Sequence, residues 1–149
     1  ASRPYDSEGV LTVEKDIIKS GVLKTYLLDT YSARKLGSKC TGNGVLTNVI
    51  VNSNKPLTSN IMSTLQDGIY ITDMMGSGAN SLTGDYSRGA FGYLVENGEI
   101  IHPVTEITVA SNLLKMFQNI IALGDDIDLR NRIQTGSILI NDITIGGTN

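Results

Sequence analysis

The dipeptide Asn97-Gly98 lies between two apolar, β-prone runs, in the stretch FGYLVENGEIIHPV (91–104). The type I′ turn that suits the twist of paired strands takes positive φ at both of its residues, and Asn followed by Gly is among the pairs that adopt it most readily. The chain must therefore double back on itself here as an antiparallel hairpin. Ser20-Gly21 repeats the arrangement near the N-terminus, inside VEKDIIKSGVLKTYLLD (13–29). The two hairpins echo each other only loosely and do not amount to an internal repeat.

Helical signals are fewer. TYSARKLG (30–37) reads as a short helix stopped by Gly37. LTSNIMSTLQDG (57–68) offers Thr58 or Ser59 as cap, the apolar residues Ile61, Met62 and Leu65, and Gly68 as stop. SNLLKMFQNIIALG (111–124) is the strongest candidate. Leu113, Leu114, Phe117, Ile120 and Ile121 form a stripe at helical spacing, with Ser111 as cap and Gly124 as stop. GSILINDITIGG (136–147) reads as closing β-structure, and residues 1–9 as a polar loop or arm. Strands outnumber helices and are joined by hairpins. The expected fold is α+β: a mainly antiparallel or barrel-like sheet with two or three short helices, in one domain over residues 1–149.

The chain is 40% hydrophobic but only 18% charged, with no Trp and 5% aromatic residues. Its core must come from Ile, Leu and Val, and the scarcity of charge suits a domain that buries surface against a partner. A net charge of −3 with scattered Lys and Arg gives no nucleic-acid face. No apolar run approaches the roughly 18 residues that would cross a membrane. The lone Cys40 excludes an internal disulfide and fits a reducing compartment. ASRPYDSEG at the N-terminus is neither a signal peptide nor an initiator Met, and we expect a fragment of a longer protein.

A catalytic zinc wants three protein ligands, commonly with two His on a helix. The one histidine, His102, precedes Pro103 and reads as a strand-end residue without a ligand role. Cys40 needs a nearby base to act as a nucleophile, and reads as a half-buried thiol. GSGANSLTG (76–84) and TGNG (41–44) lack the Lys of a phosphate-binding loop, so their glycines read as turn residues. Asp125, Asp126 and Asp128 lack the spacing of a calcium-binding loop and read as a solvated acidic loop, as do Asp6 and Glu8. Asp85 and Arg88 in GDYSRGAFGYLVENGE (84–99) could pair locally, or Arg88 could grip a carboxylate of a peptide or partner.

In order along the chain, SARKLG, TGNG, GDYSRGAFGYLVENGEIIHPV, ITVASNLL, GDDIDLR and ITIGG resemble the C-terminal domain of the TldD/PmbA family, in its PmbA-like (TldE) branch. That family is also described as modulators of DNA gyrase. The resemblance implies a cytoplasmic, prokaryotic protein much longer than this chain. It implies a pairing with a TldD-like subunit, or with itself, in a metallopeptidase that cleaves unfolded or extended peptides. In the TldD-like branch a His-Glu-x-x-x-His helix and a later cysteine hold zinc. Residues 124–145 contain no cysteine and the chain contains no His-Glu motif, so no zinc ligand carries over. The expectation is a partner subunit with no cofactor of its own in this fragment, and zinc only in a TldD-like partner. The alternative is a non-catalytic module that modulates gyrase or another regulator. Peptide or partner would meet Asp85, Tyr86, Ser87 and Arg88 on a strand edge formed by residues 84–95, together with Thr41 and Asn43 in TGNG.

Overall fold

The computed structural model describes residues 3–42, 46–52 and 61–147. In chain order its elements are β1 (Ile18–Lys19), β2 (Val22–Leu23), α1 (Thr30–Lys35), β3 (Val49–Ile50), α2 (Ile61–Leu65), β4 (Gly68–Met75), β5 (Asp85–Glu96), β6 (Glu99–Asn112), α3 (Leu113–Gln118), β7 (Ile120–Leu123), β8 (Ile133–Gln134), β9 (Ile138–Ile140) and β10 (Thr144–Gly146). The contacts divide into two units, residues 1–50 with 129–134, and residues 51–128 with 135–149.

In the first unit β1 and β2 pair antiparallel around Ser20 (φ 51°) and Gly21 (φ 74°), the expected turn. Asp29 caps α1, accepting the Ser32 N–H at 2.6 Å. The backbone and side-chain hydrogen bonds of Ser32 favour the charged carboxylate and hold the Asp29 carboxyl below its ordinary value. Gly37, at φ 60°, ends this helix in the left-handed conformation. Leu28 and Ala33 are buried here, and β3 pairs parallel with β8.

The second unit is built on an open antiparallel sheet of order β10-β6-β5-β4. Among the described residues nothing closes it into a barrel. Ala90, Ile107 and Val109 form its buried centre, with Ile69, Ile71, Met74, Tyr86, Val104 and Ile143 packed around them. The β5–β6 hairpin turns through Asn97 (φ 52°) and Gly98 (φ 78°). Its tip is pinned to the chain leaving α2, where the Asn97 N–H donates to Asp67 Oδ1 (2.9 Å) and the Gly98 N–H to the Gln66 carbonyl (2.8 Å). Gln66, at φ 57°, supplies the left-handed exit from α2, and Gly68 is already the first residue of β4. Thr58 and Ser59 lie outside the described residues.

The long helix expected over 111–124 is divided. Ser111 still belongs to β6, opposite Tyr86, and the cap is Asn112, whose side chain accepts the Leu114 N–H at 3.0 Å. After Asn119 the chain extends into β7, which pairs antiparallel with β9. Ile120 and Ile121 are β-branched, and β9 offers Ile120 a ladder partner in Ile140 that a longer helix would forgo. The stripe is not core either. Leu114, Phe117 and Ile121 are 64%, 69% and 63% exposed.

Candidate functional site

Residues 85–88 occupy the start of β5, beside the loop 76–84. The loop returns along the strand: the Ser87 N–H donates to the Gly78 carbonyl and the Asn80 N–H to the Asp85 carbonyl, both at 2.8 Å. Gly78 permits this approach, because a Cβ there would stand 1.8 Å from the Ser87 carbonyl oxygen. Ser77, Gly78, Asn80, Leu82, Asp85 and Tyr86 thereby line a shallow, open hollow.

Two expectations are corrected here. Residues 84–95 are not a sheet edge, because β6 pairs with β5 on one side, while β4 and the bridge between Ala79 and Tyr86 flank it on the other. Asp85 and Arg88 turn to other partners, because residues three apart in a strand face opposite ways. The Asp85 carboxylate accepts the Thr83 hydroxyl at 2.7 Å. The Arg88 guanidinium donates to the carbonyls of Met74 (3.0 Å) and Met75 (3.3 Å) and so ties down the end of β4. The Tyr86 hydroxyl lies 3.0 Å from Met74 Sδ.

Thr41 belongs to the other unit. Its Oγ1 accepts the Leu28 N–H (2.8 Å) and its N–H donates to the Leu28 carbonyl (3.1 Å), which fixes the chain after α1. Asn43 lies outside the described residues. Asn112, not among the expected site residues, joins the loop to α3: its Nδ2 donates to the Thr83 carbonyl at 3.1 Å while its Oδ1 caps α3. Its place ahead of LLKMF was the available signal for that cap.

The acidic loop is exposed at Asp125 and Asp126, as expected, but it is not without internal bonds. Asp126 is anchored, accepting the Ser137 hydroxyl (2.5 Å) and N–H (2.8 Å). These bonds, the hydroxyl first, stabilise the charged form and hold the Asp126 carboxyl below its ordinary value. A depressed carboxyl contributes stability above its unfolded pKa of about 4, and that contribution is lost as the pH falls through the folded value. Ser137→Ala should therefore flatten the decline in thermal midpoint below about pH 4. Parallel declines in variant and wild type across an acid titration would remove Asp126 from that role.

Among the described residues one group of metal-type donors converges, Asp6, Glu8 and Cys40, with donor atoms within 4.8 Å of one another. Its donors already serve the protein. Both Glu8 oxygens accept from Thr30 (2.8 and 2.7 Å), Asp6 Oδ1 accepts the N–H groups of Glu8 and Val10 (2.9 Å each), and the Cys40 thiol donates to the Leu28 carbonyl (3.2 Å). His102 stands exposed on β6, its Nδ1 3.0 Å from the Pro103 carbonyl oxygen. The helices described carry no histidine. These residues do not fit a peptidase zinc site.

Residues 1–147 match the family described as the PmbA/TldA metallopeptidase C-terminal domain. The chain is 49% identical to the metalloprotease PmbA homolog of Haemophilus influenzae and 48% identical to metalloprotease PmbA of Escherichia coli, over 99% of its length in both cases. It is 28% identical to a Buchnera metalloprotease TldD homolog. It spans about a third of the length of these PmbA relatives, 33% in each case. Among solved structures it superposes on a Thermotoga maritima protein, named a candidate modulator of a DNA gyrase, with a TM-score of 0.86 and 36% identity. That superposition covers 97% of this chain and 36% of the Thermotoga chain. The same fold recurs in Thermococcus kodakarensis TldE, at a TM-score of 0.79 and 21% identity, over 97% of this chain and 36% of that one. The match runs through both units and favours the PmbA relatives over the TldD homolog, so the chain belongs to the PmbA/TldA metallopeptidase family, in the PmbA-like branch of its C-terminal domain.

Proposed function

We propose that this chain is the C-terminal domain of a PmbA-like subunit that positions unfolded or extended peptides for hydrolysis, with the zinc held by a TldD-like partner subunit. One observation carries the reading: a metallopeptidase domain matched over residues 1–147 contains a donor set unsuited to catalytic zinc. The chain contributes binding and orientation, while a metal in the partner polarises the scissile carbonyl and activates water. The cytoplasm is the compartment that suits the single thiol, Cys40.

Mixing a full-length PmbA-like protein that carries this domain with a zinc-bearing TldD-like sibling should cleave an unfolded peptide. A chelator should abolish the cleavage, zinc should restore it, and the PmbA-like protein alone should be inactive. Cleavage by that protein alone would overturn the division of labour. The name of the Thermotoga relative favours a second reading, a protein-binding module acting on gyrase. A mixture with no chelator-sensitive proteolysis, together with pull-down of gyrase subunits, would select it.

A further inference from the structure

We infer that Asn97 is a deamidation site that the exit of α2 holds shut, and that its conversion to aspartate or isoaspartate keeps the tip of the β5–β6 hairpin from docking again. The inference is independent of the subunit reading above.

Asparagine loses its side-chain amide most readily before glycine, because glycine has no Cβ to screen its nitrogen. The Gly98 nitrogen attacks the side-chain carbonyl carbon of Asn97. A new C–N bond closes a cyclic imide, the bond to the side-chain nitrogen breaks, and that nitrogen leaves as ammonia with the Gly98 proton. Water then opens the ring at either carbonyl. One product is aspartate; the other is isoaspartate, whose backbone is longer by a methylene. No oxidant or cofactor takes part, and Asn97 is exposed to the water that the second step consumes.

The docked turn withholds the nucleophile. The Gly98 N–H is given to the Gln66 carbonyl at 2.8 Å, and the Asn97 N–H to Asp67 Oδ1 at 2.9 Å. Gly98 also rests on the backbone of α2, where a Cβ would stand 3.5 Å from both the Met62 carbonyl oxygen and the Ser63 Cα. Ring closure needs the peptide between Asn97 and Gly98 to swing towards the Asn97 side chain. The turn is fixed at φ 52° and 78°, so it must leave α2 before that swing can occur.

Charge adds a second brake. The attacking nitrogen is an anion once it has lost its proton. Glu96 and Glu99 oppose each other across the ladder directly behind the turn, and Asp67 lies against it, so acidic residues flank the place where that anion forms. Arg88, the one cation between residues 61 and 104, is bound to Met74 and Met75 at the far end of β4. The same features make the conversion one-way. Either product adds a carboxylate beside Asp67, Glu96 and Glu99, and isoaspartate also lengthens a turn that pairs the strands with two residues. The hairpin tip thus keeps a permanent record of its release from α2.

The test holds the full chain in mildly alkaline buffer, native or unfolded in urea, and follows peptides containing Asn97 by mass spectrometry. Conversion should be about a hundredfold slower in the native chain than in the unfolded one. Asp67→Ala removes the acceptor of the Asn97 N–H and should speed native conversion about tenfold. In the wild-type chain, urea below the unfolding transition should raise Gly98 amide exchange and Asn97 conversion in proportion, which decides the matter if Asp67→Ala fails to fold. Converted chain, separated by ion exchange, should exchange its Gly98 amide about tenfold faster than unconverted chain. Equal rates in native and unfolded chain, no conversion in unfolded chain, a folded Asp67→Ala variant that converts at the wild-type rate, exchange and conversion that do not rise together, or converted chain with undiminished protection at Gly98 would each overturn the inference.

Discussion

Replacing Gly92 with alanine lowers the stability of the sheet-bearing unit by about 2–3 kcal/mol. Gly92 is buried in β5, and the Cβ would stand 2.1 Å from the Tyr70 carbonyl oxygen and 3.0 Å from the Ile71 Cα. Both obstacles are backbone and cannot swing aside as a side chain can. The strands must part, which disturbs the ladder beside the shift between Ile71 and Asp73. Gly89→Ala, three residues earlier in the same strand, is the internal control. Its Cβ would meet only the Met75 side chain, with Cε at 3.1 Å and Cβ at an ordinary 3.7 Å, and the flexible thioether gives way at little cost. Urea denaturation of the two variants should separate their midpoints clearly, with Gly89→Ala close to wild type. Equal midpoints would mean that β4 and β5 do not approach as closely as the structure has them.

Val109→Ala should cost about 2 kcal/mol, whereas Phe117→Ala should stay within about 0.5 kcal/mol of wild type. The order inverts what side-chain size suggests. Val109 is 0% exposed at the centre of the sheet, so the two methyl groups it loses leave a hole lined by Ala90 and Ile107. Phe117 is 69% exposed, and alanine is the better helix former. A loss of 3 kcal/mol or more at Phe117, read from the same denaturation curves, would show that the stripe Leu114, Phe117 and Ile121 is packed against something within this chain, as the helical periodicity alone suggests.

Several local features were legible in the residues. Ser20-Gly21 and Asn97-Gly98 announced their turns because a small polar residue followed by Gly accepts two positive φ values at low cost. Gly37 announced the end of α1 for a similar reason. The α+β class followed from strands joined by hairpins. The stretch 111–124 misled because Leu113 to Ile121 satisfies a helical period whether or not the chain stays helical. The preference of Ile120 for a strand shows only once β9 lies beside it. Asp126 looked like one acid among three, since its partner Ser137 is 11 residues away.

The sequence by itself determined the turns, the alternation along β5 and β6, and the family, through ordered segments that span nearly the whole chain. These are short-range properties, fixed by steric limits on a few adjacent residues or carried by their identities. Only the tertiary structure decided which strand is an edge. Residues 84–95 have the composition of an edge or of an interior strand alike, and strand order depends on which distant segments lie on either side. With β6 on one flank and β4 with the 76–84 loop on the other, β5 is interior. Arg88 is thereby spent on the carbonyls of Met74 and Met75, and among the described strands the end of the sheet falls on β4 instead.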